Sequence, residues 1–348
     1  MRHIGRLLGA CVALAALLWS PRIGYAQCYY YDPFSCPSPS KPATASDRVL
    51  GAMIGQTSRP LRDALDRRFE RLRLAPAGPK QFASLDIAAA ASGGEEQPLS
   101  NLWATAGHGW LNNDSAAVNF RGYQNVATIG YDHTVWQDLT LGVALSGDKI
   151  RLEARSIGGE AVVENGTFTP YARWGFADSF SLEALAGITR SHIAQEVSGV
   201  TADTHAWREM VSTALNYNRL IDTWVVGAKV GTFLVWERTD AFFDSLGFAH
   251  EARNNNLGQV QAGANVGRLF EWGGINLSAA YLYDFDRFVT FDQQGRPVPA
   301  SDRDGVNVAL SANTAIASTL NLEVSVGHEF FRSHTDNTLL SARLAYTF

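Results

Sequence analysis

Ser325 and the His328-Glu329 pair are the closest this sequence comes to placing a nucleophile beside a base. On an extended strand, residues three apart face opposite sides, so Ser325 and His328 do not meet there. The other histidines after residue 26 are His108, His133, His192, His205, His250 and His334, scattered and without the His-Glu-x-x-His spacing of a metal site. No Gly-x-Ser-x-Gly elbow is present. The chain is read as non-enzymatic, with no catalytic residue, no metal and no cofactor.

A different constellation is worth more: Arg173, Glu183, Lys229, Asp284, Glu323 and Arg343 occupy the polar side of alternating, strongly apolar segments. In lipid such charges are expensive, so they are expected to face inward in a closed barrel. There they form mutual salt bridges that fix register and a plug, or they line a selective path for solute or polypeptide. Two cysteines add one more possibility. In Cys28-Tyr-Tyr-Tyr-Asp-Pro-Phe-Ser-Cys36 the thiols are placed to close a small aromatic loop in an oxidising compartment, with lipid anchoring of Cys28 as the rival reading.

The elements that would position these groups begin with a leader. Arg2, His3 and Arg6 precede an apolar run from Leu7 to Trp19, and Gly24-Tyr25-Ala26 supplies small residues for cleavage after Ala26. Residues 1–26 are therefore read as a secretory signal peptide, and Cys11 is lost with it. Three leader arginines go too, pushing a formal charge of −5 further negative. An acidic exported chain is not expected to bind nucleic acid, which selects a basic face. No later run of about 18 apolar residues exists, so helical membrane spans are excluded.

From Leu102 the chain resolves into twelve alternating segments, starting near residues 102, 119, 139, 161, 180, 206, 223, 257, 274, 304, 320 and 337. Gln137-Asp138, Asp178-Ser179, Ile221-Asp222, 272–274 and 317–319 are tight reversals. Residues 196–205, 239–252 and 288–302 read as long solvated loops. Short turns on one rim and long loops on the other are the asymmetry of an outer-membrane barrel, short rim in the periplasm. The last segment segregates Leu344, Tyr346 and Phe348 from Arg343, Ala345 and Thr347. Two aromatic girdles are expected, with Trp136, Phe180, Trp224, Trp272 and Phe348 near the short rim and Trp110, Phe120, Trp236, Phe285 and Phe288 near the other.

Ahead of this barrel (101–348), residues 27–100 have another texture. Leu50, Met53, Ile54, Leu61, Leu65, Phe69 and Leu72 recur at helical spacing over 46–74, and 75–100 reads as a flexible linker. Seven arginines against four acids make this helix basic, whereas 101–348 holds 17 basic and 26 acidic residues. Attraction could draw the helix into the lumen, or it could remain solvated in the periplasm.

Leu102 to Trp110 (LWATAGHGW), Gly122 to Asp132 (GYQNVATIGYD), Leu139 to Gly147 (LTLGVALSG), Phe168 to Gly175 (FTPYARWG) and the closing Leu344 to Phe348 (LAYTF) resemble, in order, the translocator β-domain of autotransporters. The resemblance implies a 12-stranded antiparallel transmembrane β-barrel with a helix in its pore. It also implies handling by periplasmic chaperones, insertion by the outer-membrane barrel assembly machinery, and export of an upstream passenger. Tyr346 and Phe348 fall on the aromatic positions of the family's assembly signal, while Arg343 replaces a glycine often found there. Only residues 27 to about 100 are available as cargo, without the strand repeats common in such passengers. A surface-exposed binding or structural barrel without secretion activity, and a small diffusion porin, are the other readings.

Overall fold

Alternation of apolar and polar residues commits long stretches of this chain to strands with two unlike faces, and the strands satisfy their backbone groups by closing on one another. The computed structural model describes residues 60–69, 100–114, 119–136, 138–155, 158–177, 179–287, 290–291, 297–298 and 303–348. The leader, both mature cysteines, the linker, Phe288 and the rest of the expected 46–74 helix lie outside the described residues. Ten residues of that helix, 60–69, are described.

Twelve strands form the wall. They are β1 (Ser100–Asn113), β2 (Phe120–Trp136), β3 (Leu139–Ala154), β4 (Gly159–Ala177), β5 (Phe180–Val197), β6 (Val200–Ile221) and β7 (Trp224–Thr239), then β10 (Arg253–Phe270), β11 (Gly273–Arg287), β14 (Asp304–Ala317), β15 (Leu320–Phe330) and β16 (Thr335–Thr347). Two minimal hairpins, β8 (Phe242–Phe243) with β9 (Ala249–His250) and β12 (Thr290–Phe291) with β13 (Pro297–Val298), decorate the long-loop rim. Each wall strand pairs with its neighbours in sequence, and β1 closes on β16 from Asn101↔Thr347 to Asn113↔Thr335. Ser100 N donates to Phe348 O at 3.0 Å and Phe348 N to Ser100 O at 2.9 Å, so the last residue is part of the seam.

The faces are inverted relative to a protein in water. Outward residues such as Ile129, Leu145, Phe168, Ile188 and Val230 are exposed, whereas the adjoining Thr128, Ser146, Thr167 and Thr189 are buried. Apolar outside and hydroxyl inside is the pattern of a wall whose solvent is lipid.

Two expectations fail at the long-loop rim, for one reason. Residues 196–205 are strand, not loop: β5 passes into β6 through Ser198-Gly199, both with positive φ (51° and 80°), a two-residue reversal of the primed type. Phe120 is 1% exposed and packs inside with Leu111, Ile150, Leu152 and Val163, so it belongs to no girdle. On the outer face of the same strands run exposed ion pairs, Arg121–Glu153 (2.7 Å), Lys149–Glu164 (2.8 Å) and Arg151–Glu160 (2.5 Å). These upper strand ends have charge outside and hydrocarbon inside, as protein in water does. The polar residues read as a loop are the wet face of strands that continue beyond the lipid. Trp110, Trp236 and Phe285 remain outward and exposed, as do Trp136, Phe180, Trp224, Trp272 and Phe348 at the other rim.

Candidate functional site

Helix 60–69 lies within the barrel. Leu61, Leu65 and Phe69, at spacings of four, form one apolar stripe. All three are buried with Trp103, Tyr171, Leu185, Met210, Phe233 and Val235 on the inner wall. Burying each such side chain contributes about 1.5–3 kcal/mol. Phe69 meets Tyr171 edge to face, centroids 5.5 Å apart.

Polar contacts orient what the stripe holds. Arg68 donates from Nε (2.7 Å) and Nη2 (2.5 Å) to the two carboxylate oxygens of Asp132, which is 0% exposed. Asp132 also accepts from Tyr171 Oη at 2.8 Å and Asn101 Nδ2 at 3.1 Å, and Trp103 Nε1 donates to Tyr171 Oη at 2.9 Å. Such a buried pair adds little net stability, because desolvation offsets attraction, but it fixes one geometry. The wall makes room with glycines. A Cβ at Gly130 would lie 2.3 Å from the Trp103 ring, and one at Gly142 the same distance from Tyr171. Arg62 Nη1 donates to Gln259 Oε1 at 2.6 Å, and its guanidinium lies 5.1 Å from the Phe233 ring centre.

Each of the six charges singled out in the sequence falls on the inner side of the wall's alternation. Arg173 stands in register with the buried Glu183 on the next strand. Lys229 reaches the helix, with Nζ 2.6 Å from Asp66 Oδ1. Asp284 accepts from Arg332 Nη1 at 2.8 Å and Gln259 Nε2 at 2.6 Å, and Arg332 also pairs with Glu329. Glu323 and Arg343 bridge neighbouring strands at 2.9 Å. The salt-bridge reading thus has a partner for each of these four groups, one of them on the helix. Sequence reasoning missed Asp132, Arg332 and the buried Arg208–Glu237 pair (2.5 Å). Inward parity on β2 and β6 would have found Asp132 and Arg208; Arg332 lies in a turn, where no parity exists. Among the described residues no group of three or more His, Cys, Asp or Glu is arranged to hold a metal.

Five turns of two residues join strands on one rim, at 137–138, 178–179, 222–223, 271–272 and 318–319, and both barrel termini sit there too. A twelve-strand barrel, short-turned on one side and filled by a preceding helix, is now specific enough to compare. The autotransporter beta-domain family model matches residues 102–327. The chain belongs to the autotransporter β-domain family. It is an integral outer-membrane barrel of autotransporter type, and the binding-barrel and porin readings are not favoured.

Solved structures agree on the fold of this autotransporter barrel. The translocator domain of the autotransporter NalP from Neisseria meningitidis superposes with a TM-score of 0.61 at 12% identity, covering 85% of this chain and 99% of that one. The β-domain of the Bordetella autotransporter BrkA gives 0.59 at 15% identity, covering 72% and 99%. The transport unit of AIDA-I from Escherichia coli gives 0.54 at 13%, covering 74% and 92%. No match was found among curated proteins.

Helix direction can be read against a single strand of this autotransporter barrel. On β7, Arg62 lies over Phe233 and Asp66 pairs with Lys229, four residues nearer the short turn at 222–223. Arg68 then meets Asp132, four residues from the end of β2 on that same rim. The helix runs from the long-loop side toward the short-turn side.

Proposed function

We propose that this barrel carries the segment ahead of its pore helix to the cell surface and holds it there. The observation that carries this reading is the direction of the helix. With short turns in the periplasm, the residue-60 end of the helix faces the outer side of the membrane, and this is the side to which the preceding segment would be delivered. The signal peptide over residues 1–26 delivers the chain to the periplasm, where chaperones keep it unfolded. The assembly machinery then inserts the barrel into the outer-membrane lipid of a Gram-negative cell, reading Tyr346 and Phe348 on the closing strand. The inner charges, Arg173, Glu183, Lys229, Asp284, Glu323 and Arg343, serve as structural pairs that fix strand register and helix. The surface segment then contains Cys28 and Cys36, joined as a disulfide in that oxidising setting. The barrel itself performs no catalysis.

An epitope tag placed beside Cys28 tests the reading. On intact cells it is expected to be cleaved by added protease while the barrel persists. Protection until the outer membrane is permeabilised would sink the proposal.

A further inference from the structure

The helix has a second face. Arg62, Asp63, Asp66 and Arg67, at successive positions i, i+1, i+4 and i+5, line a cavity of about 140 Å³ whose far side is the inner face of β10, β11, β14 and β15. That volume is the share of about four or five waters in the liquid. The far side supplies amides and hydroxyls, among them Gln261 and Ser325.

Polar groups in this cavity are unevenly committed. Of its acids, Asp66 is held by Lys229 at 2.6 Å and Glu329 by Arg332. Its donors include atoms with nothing to give their hydrogens to. Gln261 is 6% exposed and its Nε2 has no acceptor; Arg62 is 3% exposed and its Nε has none, the closest carboxylate oxygen being Asp63 Oδ1 at 3.7 Å. Arg67 makes no ion pair among the described residues, although it lines the same space. Buried donors without acceptors are costly to keep, and a guanidinium fork is matched best by an ion with two oxygens. Against negative charge stand Asp63, on the same helix face and 22% exposed, and the carboxylates of Asp66 and Glu329, each of these two held by a cation.

We propose that this cavity is a binding site for a small oxyanion, a carboxylate or orthophosphate, held between helix and wall by Arg62, Arg67 and Gln261. The ion completes the hydrogen bonds the helix leaves open and ties its polar face to the half of the barrel that the apolar stripe does not touch. The site is independent of the surface-display reading, since it needs only the helix in place.

Titration calorimetry of the folded full-length barrel in detergent, with sodium phosphate and separately with sodium succinate at constant chloride, tests it. Saturable binding of either ion is expected, and which one binds names the source. Arg67→Gln and Gln261→Met are each expected to weaken it at least about tenfold, the worth of one charge-assisted hydrogen bond, while Arg121→Gln on the outer face leaves it unchanged. Heat-modifiable migration confirms that each variant is folded, and an ion-dependent rise in the unfolding midpoint gives a second readout. Absence of saturable heat with both ions, or affinity in both lumen variants unchanged from the unsubstituted barrel, would overturn the proposal.

Discussion

Arg68 of the pore helix closes a two-pronged ion pair on Asp132 of β2, and Tyr171 and Asn101 donate to the same carboxylate. The contact joins residues 64 positions apart and leaves neither charge exposed. Its consequence is asymmetric: the pair adds little, yet removing one member strands the other.

Arg68→Ala is accordingly expected to cost about 3–5 kcal/mol, and replacing both members by apolar residues to recover part of that loss. Urea unfolding of the barrel in lipid vesicles, run as a double-mutant cycle, measures it. A single substitution costing under about 1 kcal/mol would mean the pair does not anchor the helix.

Gly130→Val drives a side chain into the Trp103 ring, which is 1% exposed and cannot move without losing its bond to Tyr171. A loss of about 1–3 kcal/mol is expected. Gly166→Ala is the control, since a Cβ there meets nothing within 4 Å, and its effect should stay within about 0.5 kcal/mol.

On β3, Leu145 and Lys149 share the outward face four residues apart, yet they should answer to different solvents. Leu145→Lys puts a charge toward lipid and is expected to cost about 2–4 kcal/mol. Lys149→Glu breaks the exposed pair with Glu164 and is expected to cost no more than about 1 kcal/mol. Similar costs at the two sites would remove the boundary drawn between them.

The β8–β9 hairpin is pinned by Asp244, whose carboxylate bonds His250 at 3.1 Å and accepts from the backbone of Leu246 (3.0 Å) and Phe248 (2.9 Å). The His250 bond, helped by these amides, holds the Asp244 carboxyl below its usual 3.8. A depressed carboxylate supports the fold above its ordinary value, and that support is lost as pH falls through the lowered one. A spin label at Leu246→Cys should therefore stay ordered at pH 7 and 5 and gain mobility only below about pH 4. Mobility already rising at pH 6 would contradict this.

Phe348 is 59% exposed and stacks on Tyr346 at 5.7 Å, so it contributes little to the core. Phe348→Ala, which keeps the two backbone bonds to Ser100, is expected to leave refolded barrel nearly as stable in vesicles while reducing assembled barrel in cells several-fold, as read by heat-modifiable migration. Equal yields in cells would show that the assembly machinery does not read this residue.

The wall was legible because its physics is local. Strand parity put Leu344, Tyr346 and Phe348 outside and Asp284, Glu323 and Arg343 inside, and the turn residues marked one rim cleanly. What parity does not encode is height in the membrane. Thr201, Asp203 and His205 are polar because β6 rises out of lipid, and a pattern meaning loop inside a membrane means strand above it. The latch was hidden for another reason. Arg68 is one of seven arginines in its segment, and only the closed barrel brings Asp132 and Tyr171 to it. Trp103 could have been suspected, being the inward tryptophan of β1 opposite Gly130.

Helix direction is the central claim, and site-specific labelling of intact cells tests it most directly. Two single-cysteine forms are compared with a membrane-impermeant maleimide: Cys36→Ser, which keeps Cys28, and one lacking Cys28 and Cys36 but carrying Ser179→Cys in a short turn. Cys28 is expected to label at once, and the turn cysteine only after the outer membrane is permeabilised. A protected Cys28 beside a readily labelled turn would contradict it.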